Sequence, residues 1–356
     1  MAQASDATTG EPRPNRDTVL RVRDATVTYD MDRGQSRVLN DVDIDVQRGE
    51  VLGVVGESGC GKSMFAAALL DAVEDPGVLT GEVSYYPEDG EPVDLLELSK
   101  GDQDRVRWEE IAMVFQGAMS SFNPTTPIVT HFRETLEAHN ADVEEGMERA
   151  EEILRDLNLD PDRILDTDTY QHELSGGQRQ RALLALSLIL DPEVVVMDEP
   201  TAALDLLMQR SILRLLHDIK DEYDLTLVII THDLPVVSGF ADRLGVMYAF
   251  EFVEIGETES VMYDAAHPYT RALLRSTPNL DMSLEDLDTV TGSSPDPINI
   301  PSGCTYAPRC PVADDRCEIE EPDLISMEAS EHRTACFYTD QARNKVDIPL
   351  SRGESE

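Results

Sequence analysis

Eight residues, Gly56-Glu57-Ser58-Gly59-Cys60-Gly61-Lys62-Ser63, constrain this chain more than any other stretch. They spell G-x-x-x-x-G-K-[ST]. They stand between a short apolar run, residues 51–55, and a helical pattern that starts at Lys62 and reads to about residue 72. A strand that stops in a glycine-rich turn and restarts as a helix is the context this motif requires. The glycines let backbone N–H groups point inward at phosphate oxygens, and the start of the following helix adds a partial positive charge. Gly56, Ser58, Gly59 and Gly61 form the expected cradle. Lys62 is placed to reach the β- and γ-phosphates, and Ser63 to ligate Mg²⁺.

The rest of the chain repeats the alternation. Residues 19–29 and 38–46 alternate apolar and polar positions about a turn at 33–35, which predicts two strands. Strands are also expected at 111–115, 194–197 and 227–231, and a hairpin near 244–255. Helical spacing runs over 128–157, 174–190, 206–223 and 234–240. In 206–223 the apolar stripe is Ile212, Leu215, Leu216 and Ile219. Apolar strands alternating with helices argue an α/β domain with a mainly parallel sheet. Residues 1–17 read as a flexible tail. After about residue 278 periodicity fades and four of the five cysteines gather, which predicts a separate C-terminal extension.

Further polar groups fall at the ends of these elements. The run 194–197 ends in Asp198 and Glu199, where Mg²⁺ and an attacking water need carboxylates. Gln116 follows one strand directly and His232 another. Leu174-Ser175-Gly176-Gly177-Gln178 heads a helix whose N–H groups are free to meet an anion. Each has an ordinary explanation alone: an N-cap, a solvated glutamine, a loop histidine. Their order and spacing beside a phosphate loop favour a nucleotide-hydrolysing site.

Composition narrows the field. The chain has 356 residues, with 71 Asp and Glu against 29 Lys and Arg, a net charge of -42. Binding spread over many phosphates needs clustered basic residues, so a nucleic-acid partner is excluded. The longest apolar stretches fall far short of the roughly 20 residues of a membrane span. The first 16 residues are polar and carry no signal-like apolar region. Only Lys62, Lys100, Lys220 and Lys345 are lysines. An acidic, lysine-poor surface suits a salty cytosol in which salt screens self-repulsion, so a halophilic protein is expected.

With these residues in place, the sequence from about 19 to 278 resembles the ATP-binding subunits of ABC transporters. The resemblance implies a P-loop ABC-type ATPase domain, α/β with a mixed sheet core, over 18–278. A helical subdomain is expected at about 117–190 and an irregular Cys-rich extension at 279–356. It also implies ATP and Mg²⁺ as ligands. By that resemblance Tyr29 is expected to stack on adenine, Gln116 and Asp198 to join Ser63 at the metal, and Asp205 to close the Ala203-Leu204-Asp205 loop. It likewise implies Glu199 as the base, His232 as the holder of the γ-phosphate, and Ser175, Gly177 and Gln178 as the groups that meet the ATP of a second subunit in a head-to-tail dimer. Further motifs resemble the oligopeptide/dipeptide importer group, which includes nickel importers: residues 115–124, His267-Pro268-Tyr269-Thr270, and Cys304 with Ala307-Pro308-Arg309-Cys310-Pro311. This implies peptide uptake, a paralogous ATPase partner, two membrane permeases, an extracellular solute-binding protein indirectly, and a peripheral place on the cytoplasmic face of the cell membrane. The competing readings are a soluble non-transport ATPase of the same type and an importer of another solute such as nickel. Three departures bear on turn geometry: Ala202-Ala203, Leu206-Leu207-Met208-Gln209, and Phe250 where a glycine is usual.

Cys304, Cys310, Cys317 and Cys336 crowd a short, Pro-rich segment of weak periodicity. Such a segment invites a metal that supplies the core it lacks. The spacing is not that of paired zinc-ribbon cysteines, and Cys310-Pro311 resembles steps near iron–sulfur clusters. The resemblance implies a [4Fe–4S] cluster; zinc or metal-free thiols are the alternatives.

Overall fold

The computed structural model describes residues 18–115, 121–201, 206–276, 292–327 and 331–348. Gln116, Asp205 and the tail 1–17 lie outside the described residues. In chain order the strands are β1 (Thr18–Met31), β2 (Gly34–Gln47), β3 (Val51–Val55), β4 (Val78–Tyr85), β5 (Val93–Asp94), β6 (Ile111–Val114), β7 (Val194–Asp198), β8 (Thr226–Thr231), β9 (Arg243–Tyr248), β10 (Glu251–Glu257), β11 (Ile325–Ser326) and β12 (Arg333–Thr334). The helices are α1 (Lys62–Ala68), α2 (Lys100–Glu109), α3 (Ile128–Ala138), α4 (Val143–Asp156), α5 (Pro161–Ile164), α6 (Gly176–Leu188), α7 (Leu206–Glu222), α8 (Leu234–Ser238), α9 (Thr258–Asp264), α10 (Pro268–Arg275), α11 (Asp315–Ile319) and α12 (Thr339–Lys345).

Two sheets form. β2-β1-β4-β5 is antiparallel, and β11-β12-β10-β9-β3-β8-β7-β6 is mixed. In the larger one, β9, β3, β8, β7 and β6 run parallel. Its inner strands read as unbroken apolar runs because both faces are covered. Val51 and Val55 of β3 join one core, while Leu52 and Val54 join the other. β8 divides in the same way, with Leu227 and Ile229 opposite Val228 and Ile230. One core lies under α3, α4, α6 and α7. The other is roofed by α1 and the antiparallel sheet.

Phe65 fixes α1 on this roof. Its ring is fully buried and meets Phe252 of β10 edge-on, centroids 5.2 Å apart. Truncating such a ring to alanine costs about 3–5 kcal/mol, so the helix behind the phosphate loop is held firmly. α1 is shorter than expected, since Asp71 turns the chain at φ +48°. The helical run expected at 128–157 is two helices. Asn140 is left-handed, and Asp142 caps α4 by accepting from Glu144 and Glu145 N–H.

The C-terminal region expected to stand apart is built into the body. Thr334 of β12 pairs with Glu254 of β10, and Ala335 N–H donates to the Val253 carbonyl at 2.9 Å. Glu254 is fully buried. It accepts from the backbone of Ala266 and His267 and faces His332 Nε2 at 2.7 Å. A buried carboxylate needs this many partners to stay in place.

Candidate functional site

Three adjacent parallel strands deliver their carboxyl ends to one cleft, as open α/β sheets do. β3 runs into the Gly56–Ser63 loop, β8 leads to His232, and β7 ends at Asp198 and Glu199. The cleft holds about 530 Å³, and Ser58, Gly59, Gly61, Lys62, Ser63, Glu199 and His232 line it. Two close approaches explain the loop's glycines. Gly61 sits at φ +106° with the Val38 carbonyl 2.8 Å from where a Cβ would be. A Cβ on Gly56 would lie 2.2 Å from the Met247 carbonyl. No side chain caps the start of α1. Lys62 Nζ donates to the carbonyls of Gly56 and Glu57, each at 2.9 Å.

The Ser63 hydroxyl faces the Asp198 carboxylate and favours its charged form. Burial raises the Asp198 pKa first, and the Glu199 charge adds to it; Ser63 and Lys62 oppose them. Asp198 Oδ1 is buried without a partner. A desolvated carboxylate oxygen with nothing to accept from, beside a hydroxyl, is a donor set that fits Mg²⁺. Glu199 turns the chain at φ +52°, its N–H donating to the Ile230 carbonyl at 2.8 Å. That places its Oε1 2.8 Å from His232 Nδ1. A left-handed glutamate costs of order 1–3 kcal/mol and belongs to a site that holds it there.

Ser175, Gly177 and Gln178 do not line the cleft. Ser175 and Gln178 form a capping box at the head of α6, Ser175 Oγ accepting from Gln178 N–H and Gln178 Oε1 from Ser175 N–H at 3.0 Å. Tyr29, expected to stack on adenine, lies on β1 away from this lining. Its ring packs against Gly77, its hydroxyl points to the Glu74 carbonyl at 3.4 Å, and it does not line the cleft. Phe250 does line it, which sequence reasoning missed. The signal was there, because Phe250 replaces an expected glycine and adopts φ +77°. Its N–H donates to the Cys60 carbonyl and its carbonyl accepts from Asn40, so the late hairpin is tied to the phosphate loop.

The four clustered cysteines line one small cavity with His267 and Tyr306. The [4Fe–4S] expectation finds no support in this arrangement. Among the described residues no group of three or more His, Cys, Asp or Glu side chains could hold a metal ion. The cavity, about 10 Å³, is at the lower limit for one water. The premise fails for a physical reason, since the segment has a core of its own. Tyr306, Val312, Cys317, Ala342 and Val346 are buried. Burial, with the neighbouring thiols, pushes Cys304 up to about 12 and Cys336 up to about 11, so both are protonated at neutral pH.

This constellation defines a class: an ATP-binding cassette, the enzyme that cleaves ATP at the carboxyl ends of a parallel sheet. Residues 39–202 match the family described as ABC transporter, and residues 253–317 the oligopeptide/dipeptide transporter C-terminal region. The dipeptide transport ATP-binding protein DppD of Caldanaerobacter subterraneus is 36% identical over 328 residues, covering 91% of this chain and 98% of that protein. The oligopeptide transport ATP-binding protein OppD of Escherichia coli is 35% identical over 90% of this chain and 94% of its own length. The dimeric cassette MJ0796, solved with ADP and Pi, superposes with a TM-score of 0.57 at 26% identity, covering 67% of this chain and 98% of that one. The chain belongs to the ABC transporter ATP-binding subunits, in the group that carries the oligopeptide/dipeptide transporter C-terminal region, and it is an ATPase.

Proposed function

We propose that this ATPase is the motor of a peptide importer. The carrying observation is the convergence of Lys62, Ser63, Asp198, Glu199 and His232 on one cleft in a chain whose relatives bear peptide-transport names. ATP lies with its phosphates on the amides of Gly56–Ser63, and Lys62 leaves the loop carbonyls for the β- and γ-phosphates. Ser63 and Asp198 would hold Mg²⁺, which when bound would supply neutralisation of phosphate charge. Glu199 takes a proton from the water that attacks the γ-phosphorus. The bond to the β-phosphate oxygen breaks, and ADP and phosphate leave. His232 holds the Glu199 carboxylate through its ring Nδ1 and orients it toward the attacking water; by resemblance it also reaches the γ-phosphate. Gln116 and Asp205 belong to the same site by resemblance.

The capping box satisfies the backbone N–H groups of Ser175 and Gln178, and those of Gly176 and Gly177 between them serve the ATP of a second subunit. That the MJ0796 cassette is dimeric with ADP and Pi bound supports pairing of two subunits, head to tail by resemblance and here with a paralogue. No described helix is long and apolar enough to cross a membrane, so two permease subunits carry the path and this chain rides on their cytoplasmic face. The solute-binding protein acts from outside. The unit 18–278 is the engine, with 117–190 as its helical subdomain and 117–139 within it as the permease-facing segment. The charge of -42 fits a halophilic host.

Reconstitution with candidate permease subunits in liposomes tests the main reading. ATP-dependent uptake of labelled di- or oligopeptides is expected. Uptake of nickel alone, or ATPase activity indifferent to the permeases, would overturn it.

A further inference from the structure

Glu57, the first variable residue of the phosphate loop, is held from three places outside that loop. Arg309 donates Nη2–H to Oε1 and Nη1–H to Oε2, each at 2.9 Å. The Ser294 hydroxyl donates to the same Oε2 at 2.9 Å. Its backbone N–H donates to the Tyr269 hydroxyl oxygen at 2.9 Å. Arg309 lies 252 positions away, in the Ala307-Pro308-Arg309-Cys310-Pro311 segment to which the hydrolytic chemistry gives no task.

The guanidinium is itself immobilised. Its side chain is 6% exposed. It sits against the rings of Tyr248 and Tyr306, at 5.5 and 5.8 Å from their centroids, and Nη1 also reaches the Tyr248 hydroxyl at 3.2 Å. Tyr248, Tyr269 and Tyr306 pack on one another with centroids 4.6–5.5 Å apart. Burial lifts the Glu57 pKa, but the hydrogen bonds from Arg309 and Ser294 and the charges of Arg309 and Lys62 outweigh it and leave the carboxyl below its ordinary value. The pair is therefore ionised at neutral pH. A planar fork on a carboxylate fixes orientation as well as distance.

Glu57 does not line the cleft, so its carboxylate is not there for the nucleotide. Its carbonyl, however, is one of two that hold Lys62 Nζ. A line of contacts thus runs from Arg309 through the Glu57 side chain to the backbone that carries the loop amides and the phosphate lysine. We infer that Arg309 is a positioning residue for ATP: the C-terminal extension sets the orientation of the phosphate loop through the Arg309–Glu57 pair. This rests on the reading of the loop as the ATP site. A loop freed of its strut must be re-ordered by the nucleotide, and that ordering is subtracted from the binding free energy. The cost therefore falls on affinity more than on turnover.

The test measures Mg-ATP binding by calorimetry, steady-state ATPase activity and thermal melting on the full chain, for wild type, Arg309→Met, Arg309→Lys, Glu57→Gln and the double variant Glu57→Gln/Arg309→Met. Arg309→Met is expected to raise Kd and KM for ATP about tenfold, or about 1.4 kcal/mol, while kcat at saturating ATP changes less than about threefold. Arg309→Lys, which restores charge without the fork, recovers part of the affinity. The double variant binds no worse than the weaker single one, because both substitutions break the same contact. A lower melting temperature with unchanged Kd in Arg309→Met would reduce the pair to a structural clamp and overturn the inference, as would additive losses in the double variant. If Arg309→Met does not fold, Glu57→Gln decides alone, and wild-type Kd in that variant overturns it. Wild-type protein that fails to bind Mg-ATP would instead sink the reading of the site.

Discussion

His232 Nδ1 lies 2.8 Å from Glu199 Oε1, although 33 residues separate them. Their strands β7 and β8 are hydrogen-bonded neighbours, with Asp198 opposite Ile230, so the pair is fixed by the sheet register. The Glu199 side chain is mostly sheltered and the His232 ring is exposed. The base is thus held against the strand ends while the imidazole faces the open cleft.

Glu199→Gln should keep ATP binding and lose hydrolysis by about 10²–10⁴-fold, the usual worth of a general base. His232→Ala should lose less, and the double variant should be little worse than Glu199→Gln, since the two act as a unit. Single-turnover hydrolysis of labelled ATP checks this. Near wild-type turnover by Glu199→Gln would exclude it as base.

Asp198→Asn should raise the Mg²⁺ concentration for half-maximal ATPase activity at least about tenfold, the loss seen when a metal site's carboxylate support is removed. In the absence of Mg²⁺ the same variant should melt no lower than wild type, because burial already disfavours the Asp198 charge. A Mg²⁺ titration of activity and a melting curve in EDTA give both numbers.

His267 carries a pH dependence of stability. Its ring is buried, Nδ1 accepts from Tyr269 N–H at 3.1 Å, and burial lowers its pKa from 6.5 to about 4. The folded state therefore prefers the neutral ring. The associated stability is complete above pH 6.5 and is lost as pH falls from 6.5 toward 4, on the order of 3 kcal/mol in all. His267→Asn, which keeps a cap acceptor for α10 without a titrating ring, should flatten that part of the curve. Urea unfolding of both proteins at pH 7.5 and pH 5 reads the difference. Parallel losses in the two proteins would refute it.

Salt should matter more than for an ordinary protein. With a net charge of -42, self-repulsion acts over a Debye length of about 30 Å at 0.01 M salt and about 3 Å at 1 M. The melting temperature should rise steeply with KCl between those limits. A flat profile would remove the salt-adapted reading.

The cleft was legible because each part has a local pattern: glycine spacing around Lys62, an apolar run before Asp198 and Glu199, another before His232, and Ser175 three residues ahead of Gln178. Contacts that join distant segments leave no such trace. Nothing near Glu57 announces Arg309, and nothing near Glu254 announces His332. β4 was missed because Gly81, at φ +104°, interrupts a half-exposed strand. The cysteine segment was misjudged because its core residues, Tyr306 and Val346 among them, are too widely spaced to show a period.

β12 and β11, two residues each, lie outside β10 at one margin of the larger sheet. Strands this short offer a stranger's backbone little to copy, whereas β10 stripped of them would present a row of open backbone groups at residues 253–255. The last part of the chain therefore works as an edge guard. A truncation that keeps every ATP-site residue but ends before residue 331 would leave that row open and turn a working motor into a template for aggregation.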